Sequence, residues 1–166
     1  MTLAEAAAKA DALAEQGAER ELATLRSQWD DELEGAARSQ DFRERAVAYR
    51  AIAQFRFRQK IELLKRGLED ESPACRGSAI LSLERLSHDH PGVINSARTL
   101  LHRLVDGDDN EAVRRLAIMA LRNGSPQQDT IRILSSLADD DEQARELRDA
   151  AAKVAQALRR KAGPRN

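Results

Sequence analysis

The sequence predicts an all-α fold, an α-solenoid of three to four stacked helix pairs. Three observations carry this prediction. Ala, Leu, Arg, Glu and Gln dominate the 166 residues, and the aromatics are limited to Trp29, Phe42, Tyr49, Phe55 and Phe57, so helix formers far outweigh strand formers. Apolar side chains recur every three or four positions between polar turns. A short segment also recurs at intervals in the thirties, the mark of stacked helix pairs.

Taken in order, the first helix spans 3–38. Thr2-x-x-Glu5 opens it as a capping box, and Leu22, Leu25, Trp29 and Leu33 give it an apolar face. The next runs over 41–69, where Phe42, Ala46, Tyr49, Ala53, Phe57, Ile61, Leu64 and Leu68 form one stripe. That stripe fits a single long helix or two helices sharing a face. Ser72-Pro73 pairs an N-cap with a proline suited to the first helical position and opens a helix over 73–87. Helices follow at 92–105, 110–123, 126–138 and 142–161. Ser125-Pro126 likewise reads as an N-cap before a first-position proline, with Gln128 as the capping-box residue at N3, and opens the helix at 126. Asn123-Gly124 and Gly163-Pro164 read as stops.

The repeat emerges when the segments after the acidic turns are aligned. Cys75-Arg76-x-x-Ala79-x-x-x-Leu83 is followed by Val113-Arg114-x-x-Ala117-x-x-x-Leu121 and by Leu147-Arg148-x-x-Ala151-x-x-x-Ala155. An acid precedes each arginine by six positions: Asp70, Asp108 and Glu142. This pattern resembles the HEAT repeats, whose first helix ends in leucines, passes an Asp-containing turn and leads into Val-Arg-x-x-Ala-x-x-x-Leu. The stretch from Leu104 to Leu121 is the nearest match; Cys75 and Ala155 depart from the pattern. The resemblance covers about Ile61–Leu158. It implies a right-handed solenoid in which Asp70, Arg76, Asp108, Arg114, Glu142 and Arg148 are structural, tying successive repeats together. As a division of the chain it gives one HEAT-like domain over 1–166: divergent N-terminal helices over 1–54, three repeats over 55–162 and a tail at 163–166.

In a HEAT solenoid the second helices line the inner side. Counting from each repeat arginine, the positions opposite the apolar stripe hold Gly77, Leu81 and Glu84, then Arg115, Met119 and Arg122, then Asp149, Lys153 and Gln156. The expectation is a non-catalytic protein-binding scaffold or adaptor, with Leu81, Arg115, Met119, Arg122 and Lys153 as its contacts. An apolar side chain beside arginine is a common hot-spot environment.

The 27 basic and 28 acidic side chains give a net charge of −1, which excludes a uniformly basic or acidic surface. The charge is segregated, however, into blocks of −5, +5, −6 and +5 over residues 1–40, 41–66, 67–142 and 143–166. The basic block 41–66 fits pairing with the acidic helix before it. Alternatively, Arg43, Arg50, Arg56, Arg58 and Lys65 would contact phosphates, making the protein a nucleic-acid binder. A third expectation is an accessory role beside an enzyme, as HEAT-like phycobilin lyase subunits play. The sequence lacks a Gly-rich phosphate loop, an HExxH pair and a nucleophile elbow, so no catalytic residue, cofactor or metal site is expected. His88-Asp89-His90 precedes Pro91-Gly92 and reads as turn chemistry, and Cys75 takes a core position. No secretory h-region or membrane-length apolar run occurs, so a cytoplasmic protein without a membrane partner is expected. The Ala-rich start is either a frayed end or a helix that docks on a partner, including a second copy.

Overall fold

A computed structural model describes residues 1–164; the last two positions of the expected tail at 163–166 lie outside the described residues. Among the described residues the secondary structure is helical, without strands, an all-α fold of the α-solenoid class. The chain divides into two compact units, one formed by Met1–Leu86 and one that begins at Ser87.

The first unit holds α1 (Leu3–Glu15), α2 (Glu19–Ala37), α3 (Phe42–Gln54), a 3-10 turn (Arg58–Lys60), α4 (Ile61–Gly67) and α5 (Pro73–Ser87), whose last residue belongs to the second unit. The Thr2 capping box forms as expected. Thr2 Oγ1 accepts from the Glu5 N–H at 3.2 Å, and Glu5 Oε2 accepts from the Thr2 N–H at 2.7 Å. The Ala-rich start is thus an ordered helix that buries Leu3, Ala6, Ala7 and Ala10 and packs against α2 and α3.

Two expected helices are each broken once. The helix anticipated over 3–38 stops at Gln16, where Gly17 takes φ +71°. Gly17 N–H then donates to Ala14 O at 3.1 Å and Ala18 N–H to Leu13 O at 2.9 Å. This is a Schellman closure, which needs a left-handed residue and so suits glycine. The stripe over 41–69 resolves into two helices. The same closure recurs after α3, with Arg56 N–H donating to Ala53 O and Phe57 N–H to Ile52 O, both at 2.9 Å. Here the left-handed position is Arg56, at φ +58°, where a Cβ costs roughly 1–2 kcal/mol. Its side chain offsets that cost: Nη1 donates to Asp11 Oδ1 and to Ala53 O, each at 2.8 Å. The buried Phe55, Ile52 and Phe57 fill the bend from inside. Beyond it, α4 approaches so closely that a Cβ on Gly67 would lie 2.9 Å from Ala79 Cβ and 3.1 Å from the Tyr49 ring.

The second unit holds α6 (Gly92–Gly107), α7 (Glu111–Leu121), α8 (Gln128–Ala138) and α9 (Arg145–Ala162). α6 packs on α7, α8 on α9, and α7 on α9. The start of α8 differs from expectation. Ser125-Pro126 stays outside the helix because α6 has claimed the serine: Asn95 Oδ1 accepts from the Ser125 N–H at 2.9 Å, and Arg98 Nη2 donates to Ser125 Oγ at 2.8 Å. Gly124 owes its place to contact, since a Cβ there would meet Ile94 Cγ2 at 2.8 Å.

The turns between paired helices share one design. A side-chain oxygen accepts the N–H two residues ahead: Ser72 N–H to Asp70 Oδ1 at 2.9 Å, Asn110 N–H to Asp108 Oδ1 at 2.8 Å and Glu142 N–H to Asp140 Oδ1 at 3.0 Å. In the last turn the aspartate is therefore Asp140, not the expected Glu142, because that turn is longer and Asp140 is the short acid that reaches. The α2–α3 turn repeats the design with Ser39, whose Oγ accepts from the Asp41 N–H at 3.1 Å. Six residues on, Arg45 donates to Ser39 O and Gln40 O, as Arg76 donates to Asp70 O and Glu71 O. Arginines also reach the following turn. Arg45 forms a two-pronged ion pair with Asp70 at 2.9 and 3.0 Å, with side chains 12% and 8% exposed. Arg114 donates to Val105 O at 2.8 Å and to Gln143 Oε1 of the next turn at 3.1 Å.

Burial alone raises the Asp70 carboxyl, but the Arg45 guanidinium and the Ser72 N–H outweigh it and hold its pKa below the usual value. The unfolded chain then binds more protons in acid, so this stabilisation is complete above the unfolded carboxyl value near 4 and is lost as pH falls through the folded one. Asp70→Asn leaves buried Arg45 with only the exposed Glu71 carboxylate at 3.9 Å, and urea titration at pH 7 should show a loss of about 3 kcal/mol. The acid limb of the stability profile should flatten in that variant. At the α3 bend, Arg56→Gly should be more stable than Arg56→Ala by about 1 kcal/mol, since both lose the side chain but glycine alone relieves the backbone.

Candidate interaction surface

The inner-face residues anticipated from the repeat fall on second helices in both units. In the first unit Leu81 lies on α5 and is 39% exposed; Glu84 is half-buried and Gly77 is buried. In the second unit Arg115 and Met119 lie on α7 and Arg122 caps its end. All three are exposed, Met119 at 38%. Asp149, Lys153 and Gln156 are exposed on α9. The reason is the helix period. α7 turns Val113, Ala117, Ile118, Ala120 and Leu121 inward, which leaves 115, 119 and 122 on the opposite side. α9 does the same with Leu147, Ala151, Val154, Ala155 and Leu158. Arg115, Met119 and Arg122 are therefore one stripe, and Lys153 stands on the helix packed beside it.

The residues of the phosphate-binding alternative do not form a comparable stripe. Arg56 is committed to Asp11, and Lys65 pairs with Glu62 at 3.2 Å. Arg43 is exposed and sits over the Phe42 ring, 5.7 Å from its centroid. Arg50 and Arg58 are exposed on α3 and on the 3-10 turn. The expected pairing of the basic block with the acidic helices is present. Lys60, only 9% exposed, donates to Asp30 Oδ1 at 2.7 Å and Glu34 Oε1 at 2.6 Å and lies over the Phe57 ring. Its burial depresses the ammonium pKa, and the two carboxylates more than restore it. Sequence reasoning did not single out Lys60, because a lone lysine gives no sign of burial.

Two concavities in the first unit are worth placing. A groove of about 880 Å³ runs between the start of α1, the end of α2 and the start of α3, with Leu3, Ala36 and Val47 on its apolar wall and Arg43 and Glu44 at its rim. A smaller one of about 280 Å³ lies beside Leu81, lined by Asp11, Arg50, Gln54 and Arg85. Arg85 is held there by Glu15 at 3.0 Å. Among the described residues no three His, Cys, Asp or Glu side chains gather as a metal site, and no helix is long and apolar enough to cross a membrane. His102 is half-buried against Thr130 Oγ1 at 2.9 Å; burial, helped by Arg98, lowers its pKa.

Paired helices whose turns are closed by a recurring acceptor and arginine define a helical-repeat protein. Residues 30–103 match a family model described as HEAT repeats, and over that stretch the chain is similar to that family. The matched stretch begins within α2 and ends in α6. It thus includes the Ser39–Arg45 turn, which lies ahead of the repeats recognisable by eye. No curated protein matches the chain.

Cys75 is fully buried, with Sγ 3.2 Å from Phe42 O, and burial raises its thiol pKa. Both effects suppress thiolate chemistry. Ellman's reagent should leave the folded chain unlabelled, and labelling across a urea series should track the loss of helical circular dichroism.

Proposed function

We propose that this protein is a non-catalytic protein-binding scaffold or adaptor that works in the cytoplasm. HEAT repeats generally mediate protein interaction, and the fold is typically non-catalytic. The contacts in this reading are Leu81 on the first unit and Arg115, Met119, Arg122 and Lys153 on the second, each unit offering its own patch. The observation that carries it is the exposure of Leu81 and Met119. Among the described residues the other large apolar side chains left open to solvent are Met1 and Phe42. Two apolar side chains placed on the second helices of different repeats, next to charged neighbours, match the composition of recognition hot spots.

Nucleic-acid binding is the weaker reading, because Arg56 and Lys65 are already neutralised within the fold. Self-association through α1 is weaker too, since its outward side carries Ala4, Ala8 and Ala12 between Glu5 and Lys9 and has little apolar area to bury. An accessory role beside an enzyme is one form of the adaptor reading.

Affinity capture from native lysate tests the proposal, with the wild-type chain and a variant combining Arg115→Glu, Met119→Ser and Arg122→Glu. The wild type should retain a protein partner that the variant releases, and the eluate should show no nucleic-acid absorbance. Equal retention by both chains removes this surface from consideration, and copurifying nucleic acid overturns the scaffold reading.

A further inference from the structure

The charge around Met119 specifies what it would meet. α7 and its cap present Arg115, Met119 and Arg122 within eight residues, about 10 Å along the axis. Lys153 is exposed on neighbouring α9. Lys161 Nζ donates to Arg122 O at 2.7 Å and to Gly124 O at 2.9 Å, so the cationic end of α9 lies beside the end of α7. Arg160 is exposed on the same terminal turn. Arg115, Arg122, Lys153 and Arg160 form no ion pair among the described residues. The acids on this side of α9, Glu146 and Asp149, both lie in its first turns, and Asp149 is 3.8 Å from Arg145. In the first unit several cations are matched to carboxylates: Arg45 to Asp70, Arg56 to Asp11, Lys60 to Asp30 and Glu34. The α7–α9 stripe is therefore a local excess of positive charge, centred on an exposed apolar side chain, in a chain of net charge −1.

Resting on the binding-surface reading above, we infer that this stripe takes an acidic peptide segment. An apolar side chain of that segment packs on Met119, and its flanking carboxylates meet Arg115 and Arg122. The stripe is too short and too closely bounded for a nucleic-acid backbone. Glu111 lies one helical turn before Arg115, and the chain just ahead of it is acidic at Asp106, Asp108 and Asp109. A phosphate chain tracking the helix would run into that repulsion, whereas a peptide ends where its contacts end. A central apolar anchor ringed by charge also suits a side chain better than a phosphate.

The experiment pans a phage-displayed library of random dodecapeptides on the full chain. Enriched peptides are then synthesised and measured by fluorescence anisotropy against the wild type, Arg115→Glu/Arg122→Glu and Met119→Ser. A single-stranded oligonucleotide is titrated in parallel, and circular dichroism checks that each variant is folded. Enrichment of peptides that pair several acids with an apolar residue is expected. Their affinity should fall with added salt, drop at least about tenfold in the double charge reversal, and drop several-fold in Met119→Ser. Enrichment of basic or neutral peptides, or no enrichment, overturns the acidic class. If the captured protein is still released by the triple variant, the broader reading survives that result. Acidic peptides that bind the charge reversal as well as the wild type place the site elsewhere. An oligonucleotide that outcompetes the peptides and is lost in the same variant replaces the peptide with nucleic acid.

Discussion

The pair between Arg45 and Asp70 is the constraint on which the first unit depends. Asp70 shapes its own turn by accepting the Ser72 N–H, and its carboxylate is then spent on the arginine of the preceding helix pair. Arg45 in turn closes the carbonyls of Ser39 and Gln40. One bidentate contact thus links two turns that would otherwise fray independently. Buried polar groups carry a large desolvation penalty unless every partner is present, so the geometry tolerates little variation. Arg114 gives the second unit a neutral counterpart, with Gln143 as its acceptor. The helices supply the apolar stripes, and the arginines fix how consecutive pairs are registered.

That division of labour explains why the exposed stripes are available for binding. Because the arginines and the small inward-facing side chains satisfy the stacking, the opposite sides of α5 and α7 have no structural duty. Leu81 and Met119 remain open on them. Charge follows the same logic. In the first unit, acidic α1 and α2 absorb much of the basic block through Asp11, Asp30 and Glu34, whereas in the second unit Arg115 and Arg122 of α7 and Lys153 and Arg160 of α9 face outward without an ion pair among the described residues.

Much of this was legible in the sequence because it is local. The 3.6-residue period identified the inward faces, and the Asp-to-Arg offset located the turns at Asp70 and Asp108. Where the reading failed, the deciding interaction came from far along the chain. Ser125 looks like an N-cap, but Asn95 and Arg98 take it. Arg56 gives no sign of a helix stop, since its left-handed backbone rests on Asp11, 45 residues earlier. Ser39 was not recognised as the counterpart of Asp70 because the turn needs an oxygen acceptor and a serine can supply it. Leu81 and Met119 were visible from the helical wheel. Gly77, on the same wheel, is buried because a wheel knows nothing of neighbouring elements.

The left-handed arginine at the α3 bend gives α1 a role beyond covering apolar surface. Asp11 on α1 is the carboxylate that compensates Arg56, and Asp11 and Glu15 also hold Arg85 near the end of α5. α1 is thereby clamped to both the bend and the second helix of the following pair. It acts as a brace rather than an appendage: the conformation of the α3–α4 corner and the docking of α1 form one mechanical element, and neither relaxes without the other.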